Sequence, residues 1–130
     1  NTFLDEAPTH VGVLVDRDFE IADRIMLMLQ DANDLFLISF AERFIRNNKA
    51  KVTIVDPNRL VRANTIFTMA VEKINHDAPE RIQVIETHEL TNTFLNTFNL
   101  VIVSYWGWKD VSRSRAKWLV HTPSVLILKA

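Results

Sequence analysis

"EAPTHVGVLVDRDF" at residues 6–19 and "VHTPSVLILKA" at residues 120–130 carry one phrase twice: alanine or threonine, a proline, a short gap, then an apolar run. A domain normally needs only one final strand. The reading that accounts for two is that the first copy is the last strand of a preceding unit and the second is the last strand of this one. Between them "RDFEIAD" at residues 17–23 is polar and shows no helical stripe, as a linker would. The expected division is therefore residues 1–23, the end of a mostly missing homologous half with its linker, and residues 24–130, an α/β unit. The match is short, so the repeat is argued from position as much as from similarity. The opening at Asn1 rather than Met agrees with a chain that is part of something longer.

Working outward, short β-like runs alternate with amphipathic stretches. The runs are 10–16, 24–30, 51–56, 82–86, 100–105 and 124–129, and several are apolar throughout, as strands covered on both faces are. The first helix is capped by Asn33 or Asp34 and carries its stripe at Leu37, Phe40, Ala41, Phe44 and Ile45. The second runs from about Ala63 to His76, with Phe67, Ala70, Val71 and Ile74 on one face. A short third repeats Leu90, Phe94 and Phe98, and a fourth covers Ser112 to His121 with Ala116, Leu119 and Val120 inward. Strand and helix in alternation with short connections predict a parallel sheet between helical layers.

Composition narrows the function classes. Hydrophobic residues are 48% of 130 and charged residues 24%, with a net charge of −1, so neither a nucleic-acid footprint nor an acidic tail is present. There is no cysteine, which excludes a disulfide scaffold, a thiolate metal site and a cysteine nucleophile. No apolar run approaches the roughly 18 residues of a membrane span, and no secretory leader pattern is seen. His10, His76, His88 and His121 are scattered without metal-ligand spacing. No nucleophile elbow, Walker loop or dinucleotide fingerprint occurs, so no catalytic residue is assigned and no metal site is expected. Lys49 with Lys51 and Arg59 with Arg62 read as solvated faces.

The phrase "APTHVGVLVDRDF" resembles the junction between the two soluble halves in the cytoplasmic tails of monovalent cation:proton antiporters, among them bacterial sodium or potassium/proton antiporters and plant cation/proton exchangers. Ala7, Pro8, Val11, Gly12, Val13, Leu14, Val15, Asp16 and Arg17 carry the likeness, with Asp18 where glycine is usual. The rest of the chain is similar to a universal-stress-protein-like domain. The resemblance implies three α/β/α layers around a five-stranded parallel sheet of order 3-2-1-4-5. It adds one antiparallel edge strand from the N-terminal segment. Strand pairing would then involve Val11, Val13 and Val15 against Val125 and Ile127. It also implies a regulatory, non-enzymatic domain at the cytoplasmic face of the cell membrane. Its partners would be the antiporter's membrane domain and preceding soluble half, or a second copy in a homodimer. Nucleic acid is not expected as a partner, nor is insertion of this part into the membrane.

Nucleotide-binding universal stress proteins place an Asp after the first strand and a glycine-rich phosphate loop after the fourth. Here Ser104 replaces the first glycine, Gly107 survives, and Ser112-Arg113 stands near the place of the final Gly-Ser pair. The Asp position falls on Gln30 or Asp31. Trp106 and Trp108 crowd the loop. Ser104, Gly107, Ser112, Arg113 and Asp31 are thus the candidate anion or nucleotide residues, Arg115 is a second candidate anion grip, and the degraded loop predicts no cofactor, ATP included. Trp106, Trp108 and Trp118 are read as packing or contact residues.

A phospho-receiver domain is the competing class. It would use Asp16 and Asp18 for Mg²⁺, Asp56 as phosphoacceptor, Thr87, and Lys109 toward the phosphoryl group. Three features oppose it. Lys109 is followed by Asp110 rather than proline, "LFLISFAERFIRN" keeps helical spacing throughout, and "SVLILKA" is a strand where a receiver ends in a helix.

Overall fold

The computed structural model describes residues 11–15, 23–87, 91–108 and 124–129. Six strands form one sheet: β1 (Val11–Val15), β2 (Arg24–Met28), β3 (Lys51–Val55), β4 (Ile82–Ile85), β5 (Leu100–Ser104) and β6 (Ser124–Lys129). Their spatial order is β1-β6-β5-β2-β3-β4. Strands β2 to β6 are all parallel to their neighbours, and β1 alone runs antiparallel, against β6. Without β1, the order is 3-2-1-4-5 in unit numbering. The fold is a three-layer α/β/α sandwich with one added edge strand.

Period-two alternation decides which side chain enters which layer. Ile25, Leu27, Leu29, Val52, Ile54, Leu100, Ile102 and Leu128 join one core cluster. Met26, Met28, Val55, Val101, Val103, Val125 and Ile127 join the other. Both sets are buried, which is why the central strands are apolar at nearly every inner position. Each such side chain contributes about 1.5–3 kcal/mol by leaving water. The polar residue buried mid-strand, Thr53, is satisfied by the Gln83 side-chain amide, which donates to its hydroxyl at 2.9 Å.

The first cluster is covered by α1 (Leu35–Asn48) and α3 (Thr65–Asp77), with the single turn α2 (Leu60–Ala63) leading into α3. On α1, Leu37, Ile38, Ala41 and Ile45 are buried, while Phe40 and Phe44 flank them half-buried. Phe67 and Ile74 anchor α3. The second cluster lies under α4 (Asn92–Leu95), whose Leu95 is fully buried beside Phe94 and Phe98, and under Tyr105 in the helical residues 105–108. Helices therefore stand on both sides.

Two local readings are refined. The first helix has Asp34 at its N-cap position, as expected, but that side chain makes no cap bond to the helix. A 3-10 turn (Ala32–Asp34) precedes it, capped by Asp31, whose side chain accepts from Asn33 N–H at 2.8 Å. The second helix, expected from about Ala63 to His76, runs over Thr65–Asp77, and the separate turn α2 before it ends at Asn64. Extended backbone there lets the Asn64 side chain cap α3 through Ile66 N–H at 3.0 Å. The expected helix at 112–121 and Leu90 of the third stripe lie outside the described residues.

Strand β1 is placed as the duplicated phrase predicts. Its register on β6 pairs Val11 with Lys129, Val13 with Ile127 and Val15 with Val125.

Candidate functional site

In an open parallel sheet, ligands gather beyond the carboxyl ends of the strands where neighbouring connections leave toward opposite faces. That point lies between β2 and β5 here. The chain leaves β2 toward α1 on one face, and leaves β5 into Tyr105, which packs on the other. A cavity of about 300 Å³ opens at this place, lined by Asp31, Asn33, Asp34, Phe36, Ser104, Trp106 and Leu128.

Asp34 is its central group. Its side chain is buried in the 3-10 turn that follows β2. One carboxylate oxygen, Oδ2, accepts from Gln30 N–H at 2.7 Å and from Asp31 N–H at 3.3 Å. Across the switch point the Ser104 hydroxyl donates to the same carboxylate. Ser104 Oγ in turn accepts from Gly107 N–H at 3.0 Å. Burial pushes the Asp34 carboxyl above its usual range. The hydrogen bonds from Gln30, Ser104 and Asp31 favour the ionised form but do not cancel the desolvation, and the Asp31 charge adds to the rise.

The surroundings hold this group still. Asp31 and Asp34 form a reciprocal capping box, and the Asn58 side-chain amide donates to Gln30 C=O at 2.7 Å, tying the β2–α1 loop to the β3–α2 loop. Gly107 is needed for close approach: a Cβ there would meet Ser104 Oγ at 3.0 Å and Val103 Cγ2 at 3.1 Å. On the rim, Trp106 is 62% exposed and stands edge-on to Tyr105, ring centres 5.1 Å apart. Trp108 packs instead against the second core cluster.

Of the five candidate anion residues, three meet here. Asp31 and Ser104 line the cavity, and Gly107 supports Ser104. The Gly107 N–H, which a phosphate loop would present to its ligand, is donated to Ser104 Oγ. Ser112, Arg113 and Arg115 lie outside the described residues, as does Trp118. Sequence reasoning missed Asp34, which it read only as a helix cap. The signal was there in "DAND" at residues 31–34, two acids at capping-box spacing one residue after the apolar run 25–29.

The receiver constellation does not assemble among the described residues. Strand β1 is at the sheet edge, with β6, β5 and β2 between it and β3. Asp56 is fully buried, with Oδ1 accepting from Leu60 N–H at 2.9 Å and Oδ2 from Val61 N–H at 2.8 Å, so both oxygens cap α2. Asp16, Asp18 and Lys109 lie outside the described residues. Of the histidines, His76 is exposed beside Asp77 and the other three are not described. Among the described residues no group of three His, Cys, Asp or Glu could hold a metal ion. No helix among them is long and apolar enough to cross a membrane.

No family model, curated protein or solved structure matches the chain.

Proposed function

We propose that the chain is the cytoplasmic regulatory domain of a monovalent cation:proton antiporter, and that it neither transports nor catalyses. The observation that carries this reading is β1. A strand introduced by the antiporter-like phrase lies antiparallel on the last strand of the unit. That is the arrangement expected where the final strands of two tandem soluble halves meet. Without β1 the apolar β6 would be the edge of the sheet and would invite aggregation, and β1 covers it. The domain would bias the membrane part through contacts whose strength differs between transport states.

The test uses the whole gene product. It should sediment with membranes, and inverted vesicles containing it should release a preformed proton gradient when Na⁺ or K⁺ is added. Deleting residues 24–130 should leave that exchange in place but change its dependence on pH or cation concentration. A product that stays in the high-speed supernatant and encodes no apolar spans would overturn the proposal.

A further inference from the structure

We infer that the outer face of α1 and α3 docks a second copy of the chain, the two copies related by a twofold axis that runs along the groove between these helices. The inference does not depend on the antiporter reading.

Three observations carry it. The first is exposed apolar surface. Ile66 and Met69, one turn apart on α3, are 62% and 63% exposed. Beside them a groove separates α3 from α1. A cavity of about 240 Å³ with Leu35, Ile38 and Ala70 in its walls is continued by one of about 160 Å³ that shares Glu42 and Ile74 with it. Single exposed hydrophobics are ordinary, but a pair on the rim of an apolar groove is the pattern of an interaction surface. The second is the order of charges. Both helices return from one parallel strand to the next, so they run in the same direction. Glu42 of α1 and Lys73 of α3 line the first cavity, while Arg46 of α1 and Asp77 of α3 line the second. The signs therefore run minus then plus on α1, and plus then minus on α3. A twofold axis along the groove lays α1 of each copy on α3 of the other at the same level. Glu42 then meets Lys73 of the second copy and Arg46 meets its Asp77, so every charge finds its opposite. A partner of one uniform charge would be repelled at two of the four positions. The third is size. Helices of 14 and 13 residues are about 20 Å long, and side by side they make a face about 20 Å wide. That footprint is at the low end of specific interfaces and fits a reversible dimer rather than an obligate one.

Sedimentation velocity on the whole chain, from about 1 to 500 µM, should show a monomer–dimer equilibrium with a Kd in the micromolar range. Lys73→Glu and Glu42→Lys should each weaken the dimer at least about tenfold, because each sets like charges together at two places across the axis. Mixed in equal amounts, the two variants should dimerise with each other at close to wild-type strength, since each now faces its opposite in the other. A merely structural loss would not be rescued by mixing. Met69→Asp, at an exposed position, should also weaken the dimer at least about tenfold, while circular dichroism and the Tm of dilute samples show the fold kept. It carries the test if a charge variant does not fold. A chain that stays monomeric throughout would overturn the proposal. So would a dimer that Met69→Asp or the separate charge variants leave intact, or a mixture of the two charge variants that remains monomeric.

Discussion

Asp34 and Asp56 occupy equivalent places, each following a central parallel strand and each turning the chain into a helix. Yet they do different work. Asp56 is closed: it is fully buried, and both its oxygens are held by the first N–H groups of α2. Asp34 is open on one side. One oxygen takes two backbone donors, a hydroxyl reaches it from the neighbouring strand, and the cavity lies beside it. Two buried acids at strand ends are therefore not two site residues. Acceptor capacity and adjacent space separate a structural carboxylate from one that can meet a ligand.

The largest effect should come from the closed acid. Asp56→Ala leaves two partly buried N–H groups without their acceptors and should cost about 2–3 kcal/mol in urea unfolding. Asp56→Asn, which keeps one acceptor, should cost less. A loss under about 1 kcal/mol for the alanine variant would break the comparison, because Asp56 would then not be a structural group. Gly107→Ala comes next. Its methyl must displace Ser104 Oγ or Val103, at about 1–2 kcal/mol.

Asp34→Asn should move stability the other way. The folded carboxyl titrates above its unfolded range. The protonated form is therefore the better-tolerated one, and the contribution of this group is fully present below the usual carboxylate range. It is lost as pH rises through the folded value. The variant should thus melt above wild type at pH 7, with the gap closing under acid. A gap that is independent of pH would show that Asp34 does not titrate as a buried acid. The smallest effect is expected at the Arg62–Glu86 pair, 2.7 Å apart but with Arg62 largely exposed. Arg62→Ala should stay within about 0.5 kcal/mol by the same unfolding measurement, as surface pairs do.

Most of the fold is legible in the sequence because burial on both faces leaves a coarse signal. "IMLML" at 25–29 and "LVIV" at 100–103 admit few other readings once helical stripes lie between them. Leu37, Ala41 and Ile45 mark the inward face of α1 by spacing alone. The helix starts were less legible, since Asp31, Asn33 and Asp34 can each cap. Which one does depends on where β5 ends, and Ser104 is seventy residues away in sequence. The site suffered the same difficulty. Ser104, Gly107 and Asp31 were found because they sit at loop positions with a known phosphate chemistry. The carboxylate they surround was not, because a capping Asp and a cavity-lining Asp are spelled alike.

The antiparallel seam between β1 and β6 also has a mechanical consequence. Val11 lies opposite Lys129, so the start of one strand and the finish of the other share one end of the seam. Tension between those two residues loads the ladder in zipper geometry, one rung after another, rather than in shear with every rung sharing the force. Each rung contributes only about 1 kcal/mol net. A modest pull therefore peels β1 away while the five parallel strands, whose ladders lie beyond β6 and are not loaded rung by rung, keep their registry. The seam is a fuse in the sheet, set to open before the rest.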